Sequence, residues 1–145
     1  MMTPSSFKLY ALDVGLLRRL SRLGASVFTQ EGALFSEFKG AFAENYLLQA
    51  LLPQLDVTPR YWTSDKPRHE VDFIAQIGNV IVPMGVKSGT SVTARSLRHY
   101  AQRHPEGTAV RVRFSMRELS RDGTMLNIPL YLAHRAVPLI MSVLV

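Results

Sequence analysis

Cysteine is absent from the 145 residues. This excludes disulfides, thiolate zinc centres and cysteine nucleophiles together, and it fits a reducing compartment such as the cytoplasm. Long hydrophobic runs are missing too. The opening MMTPSSFKLY lacks the apolar core of a signal peptide. The closing AVPLIMSVLV is about half of the roughly 20 apolar residues that span a bilayer. It reads as an extended or helical terminal segment packed on a core or a partner, so no membrane association is expected. There is no glycine-rich nucleotide loop: GVKS at 85–88 has Val86 between the glycine and the lysine, so no nucleotide site is expected. His69, His99, His104 and His134 are scattered and make no zinc motif. Ser36, Ser88 and Ser91 lack a nucleophile-elbow context.

Acids are scarce in one quarter of the chain. Lys87, Arg95, Arg98, Arg103, Arg111, Arg113, Arg117 and Arg121 share a window with only Glu106 and Glu118, while the remainder carries nine charges of each sign. The net charge of +6 is therefore local. Such a surface suits a polyanion through counterion release and steering, although a solvated arginine face would look the same in sequence.

The length suits one domain. FKLYALD (7–13) alternates as a short strand, and Asp13 is placed to cap VGLLRRLSRL, which Gly24 ends. After a loop-like GASVFTQEGA, Ser36 is placed to cap a long helix that Pro53 stops. Its apolar stripe is read as Phe38, Ala41, Phe42, Leu48 and Leu52, with Glu44 at the flank. TPRYWTS predicts an edge strand led by proline, with Tyr61 and Trp62 packing rather than stacking on bases. HEVDFIAQI alternates, with Glu70, Asp72 and Ile74 on one side and Val71, Phe73 and Ala75 on the other. Gly78–Asn79 suits a hairpin turn, and VIVPMGVKS returns as a strand buried on both faces. TARSLRHYAQRH is helical with Leu97 and Tyr100 inward, and TAVRVRFS is a strand with Arg111 and Arg113 on its outer face. LNIPLYLA is a last extended piece. The order predicts an α/β domain with a mixed central sheet flanked by helices.

Phosphodiester hydrolysis needs an activated water and charge neutralisation at the phosphate, which a hard cation held by carboxylates supplies. Acids on neighbouring strands, with a lysine two residues after the second, meet that need. Asp72, position 85 and Lys87 have this spacing, but position 85 is glycine.

KLYALDVGLL, GAFAENYLLQAL, YW at 61–62, EVDFIA, IVPMGVKSG, LRHYAQRHP and IPLYLAH together resemble the PD-(D/E)XK nuclease superfamily. More closely, they are similar to a domain of unknown function found C-terminal to the ATPase module of prokaryotic AAA-type ATPases. The resemblance covers nearly the whole chain. It implies a restriction-endonuclease-like sheet in a single domain, 1–145, forming the C-terminal part of a longer ATPase-containing protein. It also implies Asp72 as a metal ligand, Lys87 as the phosphate-facing lysine and Glu44 as a helix acid near the same site. Gly85 departs from the acid usual before Val-Lys. Glu44 or Glu70 could substitute in holding Mg2+, or the Val86 carbonyl could coordinate. The space beside Gly85 also lets Asp72 and Lys87 pair directly as a structural ion pair.

Two functions are expected from these features. One is a nuclease-like domain that binds DNA through Lys87, Arg95, Arg98, Arg111 and Arg113, with degenerate or weak metal-dependent hydrolysis. The other is a non-catalytic module that docks on an AAA-type ATPase, for which an exposed apolar patch near 136–145 is expected.

Overall fold

The apolar stretch at 80–86 becomes the middle of a sheet, where a strand buried on both faces belongs. The computed structural model describes residues 7–22, 24, 33–87 and 94–145, the side chains of 33–38 excepted. In it β3 (Val80–Val86) buries Val82, Pro83, Met84 and Val86. β2 (Arg68–Ile77) runs antiparallel to β3 across the turn at Gly78–Asn79, where Gly78 takes φ +59. That left-handed backbone is open to glycine at little cost. β4 (Arg111–Ser115) lies parallel on the other side of β3. β1 (Arg60–Asp65) forms one edge, and β6 (Met125–Pro129) with the short β5 (Ser120–Asp122) the other, giving the order β1-β2-β3-β4-β6-β5. The sheet is mixed, as expected, and β1 is an edge strand; β5 has no counterpart among the predicted elements.

Pro83 would be out of place in most central strands. Here the Lys87 N–H points to Phe114 O of β4 (2.9 Å), and alternation puts the Pro83 nitrogen on that same side. The β3–β4 ladder begins only at Met84, so the missing donor removes no ladder bond.

Among the described residues four helices flank the sheet: α1 (Val14–Leu20), α2 (Ala33–Leu51), α3 (Arg95–Arg103) and α4 (Ala136–Leu144). The main core joins Ala43, Leu47 and Leu51 of α2 to Phe73, Met84, Phe114 and Ile128 of the sheet and to Ala136 and Ile140 of α4. On the opposite face α3 seats Leu97 and Tyr100 against Val71, Trp62 and Ile74.

Several expectations change. Residues 7–11 are no strand; the backbone of Ala11 is met by Asn45 of α2, which accepts from its N–H (2.8 Å) and donates to its C=O (3.2 Å). Asp13 does cap α1, accepting from Leu16 N–H (2.9 Å), but the helix ends at Ser21, and Arg22 turns to φ +53 before Gly24. α2 begins at Ala33, upstream of the expected cap at Ser36; the side chains of Ser36 and Phe38, like most of the loop at 24–33 and Ser88 and Ser91, lie outside the described residues. The core face of α2 runs through Ala43, Leu47 and Leu51, whereas Ala41 and Leu52 are exposed. Apolar residues lie on every side of this helix, so periodicity alone does not choose its face. LNIPLYLA is a strand only to Pro129, followed by a 3-10 turn at Leu130–Arg135 and by α4. Gln54 ties that turn to α2, donating to Ala133 O (2.8 Å) and accepting from Val137 N–H (3.0 Å).

The alternation of β2 also fails at one point. Trp62 faces Val71 but Arg60 faces Ile74. Asp72 and Phe73 thus oppose Tyr61 alone, a β-bulge. Val71 and Ile74, three apart, both pack toward α3, while Phe73 and Ala75 enter the main core.

Asn45→Ala is expected to destabilise the domain by about 1–2 kcal/mol, because both Ala11 backbone groups lose their partner. Hydrogen exchange should speed up around Ala11 while the amides of β3 and β4 remain protected.

Candidate nucleic-acid interface and carboxylate cluster

Backbone alternation sorts the charged residues. Val82, Met84, Val86, Val112 and Phe114 fill the main core, which turns Gly85, Lys87, Arg111 and Arg113 toward the α3 face. Asp72, Gly85, Lys87, Arg95, Leu97 and Arg113 line one cleft of about 320 Å³ there. A second cleft of about 320 Å³ is lined by Arg95 and Arg98 of α3, Arg111 and Arg113 of β4, Asp122 of β5 and Asn127 of β6. Ala94, Arg95 and Arg113 belong to both, so the two clefts are contiguous.

Asp72 and Lys87 share their cleft but form no ion pair, contrary to the expected direct contact. The Asp72 carboxylate turns in over Gly85, where Oδ2 accepts the Val86 N–H at 2.8 Å. The β2–β3 register ends at Phe73–Met84, and this side chain carries the contact between the two strands one step further. Lys87 stays exposed. A Cβ built on Gly85 would lie 3.6 Å from both Asp72 Oδ2 and Leu97 Cδ1, ordinary contact distances. Burial pushes the Asp72 carboxyl up from 3.8 to about 6; the charge of Glu44 adds to this, and the Val86 N–H, Lys8 and Lys87 oppose it.

The arginine cleft is held from beneath. Asn127 is buried and fully bonded: it accepts from Arg113 Nε (3.1 Å) and Ser115 Oγ (2.7 Å) and donates to Arg117 O (3.2 Å) and Glu118 O (2.7 Å). Arg111 donates from Nη2 to Thr124 Oγ1 (2.9 Å), and its Nε is buried without a hydrogen-bond partner. Burial lowers the pKa of both guanidiniums, helped by Arg98 beside Arg111 and by Arg117 beside Arg113, with Asp122 opposing. Concentrated positive charge with one carboxylate among the lining residues is an anion's environment.

Glu44 and Glu70 are placed differently. Glu44 Oε1 accepts from Tyr10 Oη at 2.5 Å and from Lys8 Nζ at 2.7 Å, and the same ammonium pairs with Glu70. Burial lowers the pKa of Lys8, and its bonds to Glu44 and Glu70 more than reverse this, leaving it raised. Burial and Glu44 push the Tyr10 phenol well up. Glu70 lines both this recess and the Asp72 cleft; Glu44 lines the recess alone. Among the described residues no three His, Asp or Glu side chains are grouped to hold a metal ion. As arranged, Asp72, Glu44 and Glu70 do not fit Mg2+, because the cation between the two glutamates is Lys8.

Trp62 stacks edge-on against Tyr100 (5.3 Å between ring centroids), and His69 lies on His99 (4.3 Å), so this aromatic group is packing between β1, β2 and α3. Tyr61 lies under the Lys8 ammonium at 5.6 Å. Lys8, Tyr10, Asp122 and Asn127 escaped the sequence reading. Lys8 and Tyr10 are two apart on an extended segment, a weak signal that they share a side, but nothing local links them to a glutamate 34 or 36 residues away.

A raised carboxyl pKa means that the folded state holds the proton more tightly than the unfolded chain. Stability therefore falls as pH rises from about 4 to about 6, and above that the domain carries the full penalty. Asp72→Asn keeps an acceptor for Val86 N–H and is expected to stabilise the domain by on the order of 2 kcal/mol at pH 8. The gain should vanish toward pH 4 in thermal melts of both proteins. Gly85→Ala is expected to melt within a few degrees of the wild type, since its Cβ meets only ordinary contacts.

No helix among the described residues is long and apolar enough to cross a membrane. No curated protein and no solved structure matches the chain. A family model described as a domain of unknown function, DUF4143, matches residues 39–132. The match takes in the α2 acid, the Asp72 hairpin, Lys87 and the arginine cleft, and since it covers well over half of the residues, the chain belongs to the DUF4143 family.

Proposed function

We propose that this domain is a restriction-endonuclease-like DNA-binding module that grips phosphates in its arginine cleft and does not hydrolyse them as built. The observation that carries this reading is placement. Arg95, Arg98, Arg111 and Arg113 converge from a helix and a strand onto the same face of the sheet as Asp72 and Lys87, in contiguous clefts. Arg111 and Arg113 are half-buried and Arg95 and Arg98 exposed, and positive charge gathered in this way favours an anionic partner. A phosphate backbone supplies that partner. With glycine at position 85, the second carboxylate lining the Asp72 cleft is Glu70, which is paired with Lys8.

A second reading has its own observation. Phe7, Leu9 and Leu12 are 78%, 86% and 88% exposed, with Leu16 and Leu20 exposed along α1. This apolar surface lies at the opposite end of the chain from 136–145, where α4 buries Ala136 and Ile140. It suits docking on another protein, such as an ATPase module.

Fluorescence anisotropy with labelled duplex and single-stranded DNA over a range of NaCl separates the two. DNA binding predicts affinity that falls steeply with salt, and a slope made shallower by about one in Arg98→Glu or Arg95→Glu. Absent or salt-insensitive binding, together with salt-insensitive association with a protein, would favour docking. Plasmid is expected to remain uncut in Mg2+ or Mn2+. A wild type that cuts and loses the activity in Asp72→Ala would refute the non-hydrolytic part.

A further inference from the structure

We infer that Lys8 is the resident cation of the Glu44–Glu70 recess, and that its ammonium closes to divalent metal a site which the carboxylates would otherwise form. The geometry is specific. One ammonium contacts both carboxylates, from α2 and from β2, and Tyr10 Oη donates to the same Glu44 oxygen that Lys8 reaches. The segment that carries Lys8 and Tyr10 is not left to chance, because Asn45, one residue after Glu44, clamps Ala11 through both of its backbone groups. The cation is thus attached to the chain at high effective concentration, whereas Mg2+ must shed water to enter. The charge reaches further: Glu44 raises the carboxyl pKa of Asp72 and Lys8 lowers it, so the three acids and the ammonium form one electrostatic group. Without Lys8, Glu44 and Glu70 would face each other with no counter-charge between them, and a hard divalent cation is the species that relieves this. The inference concerns the α2 side of the sheet and stands whether or not the arginine cleft binds DNA.

Titration with Mn2+, followed by electron paramagnetic resonance and by thermal shift, tests it in the wild type, Lys8→Met and Lys8→Met combined with Glu70→Gln. The wild type is expected to show no melting-temperature rise with Mn2+. Lys8→Met should bind one equivalent at least about tenfold more tightly than the wild type, with a melting-temperature rise that Glu70→Gln removes. A folded Lys8→Met that takes up no more Mn2+ than the wild type overturns the inference. So does a wild type that binds one Mn2+ and loses it in Glu44→Gln, a comparison that decides the matter if Lys8→Met does not fold.

Discussion

One extra residue in β2 sets the geometry of the charged sites. Because Asp72 and Phe73 together oppose Tyr61, the strand changes sides within two residues. Before the bulge, His69 and Val71 face α3 and Glu70 reaches back to Lys8. After it, Phe73 and Ala75 enter the main core. Asp72 sits at the change-over. Its carboxylate takes the Val86 N–H after the backbone ladder has ended. It lies over Gly85, where even a Cβ would meet it only at an ordinary contact distance of 3.6 Å. A regular strand would have kept Glu70 and Asp72 side by side; the bulge gives them different partners, an ammonium for Glu70 and a backbone amide for Asp72.

The sheet consequently separates two electrostatic environments. On the α3 side positive charge is in excess, and the guanidiniums are fixed by the sheet: Arg113 through buried Asn127, Arg111 through Thr124. Fixing a cation in place removes the entropy of ordering it at the moment of binding, which is how a preorganised anion site gains affinity. On the α2 side the acids are matched by Lys8 within the chain. Two buried asparagines perform comparable tasks, Asn45 holding the segment that delivers Lys8 and Asn127 holding the turn that frames the arginines. Asp72 is less fully matched, a carboxylate drawn out of water with one backbone donor and no ion pair among the described residues.

The sequence by itself determined most of the elements and the β2–β3 hairpin, but neither the absence of a strand at 7–11 nor the short β5. Period-two alternation with a Gly-Asn turn suffices for β2 and β3, and continuous apolar residues suffice for a central strand. Arg111 and Arg113 alternate with Val110, Val112 and Phe114, so their outward direction was legible, and with it the arginines of the candidate cleft. The face of α2 was not legible, since a helix apolar all round takes its orientation from what it packs against. Nor was the bulge, because one added residue leaves no mark on composition or period.

Only the tertiary structure decided which charges meet. Lys8 and Glu44 are 36 residues apart, and Asp72 and Val86 are 14 apart. Contacts at such separations are fixed by the packing of α2 and β3 on β2, not by any local preference. The sequence placed an aspartate and a lysine on neighbouring strands, and folding gave the aspartate a backbone amide in place of that lysine. The reason is spatial: the short side chain of Asp72 stands within reach of the Val86 N–H, whereas the long chain of Lys87 keeps its charge in water.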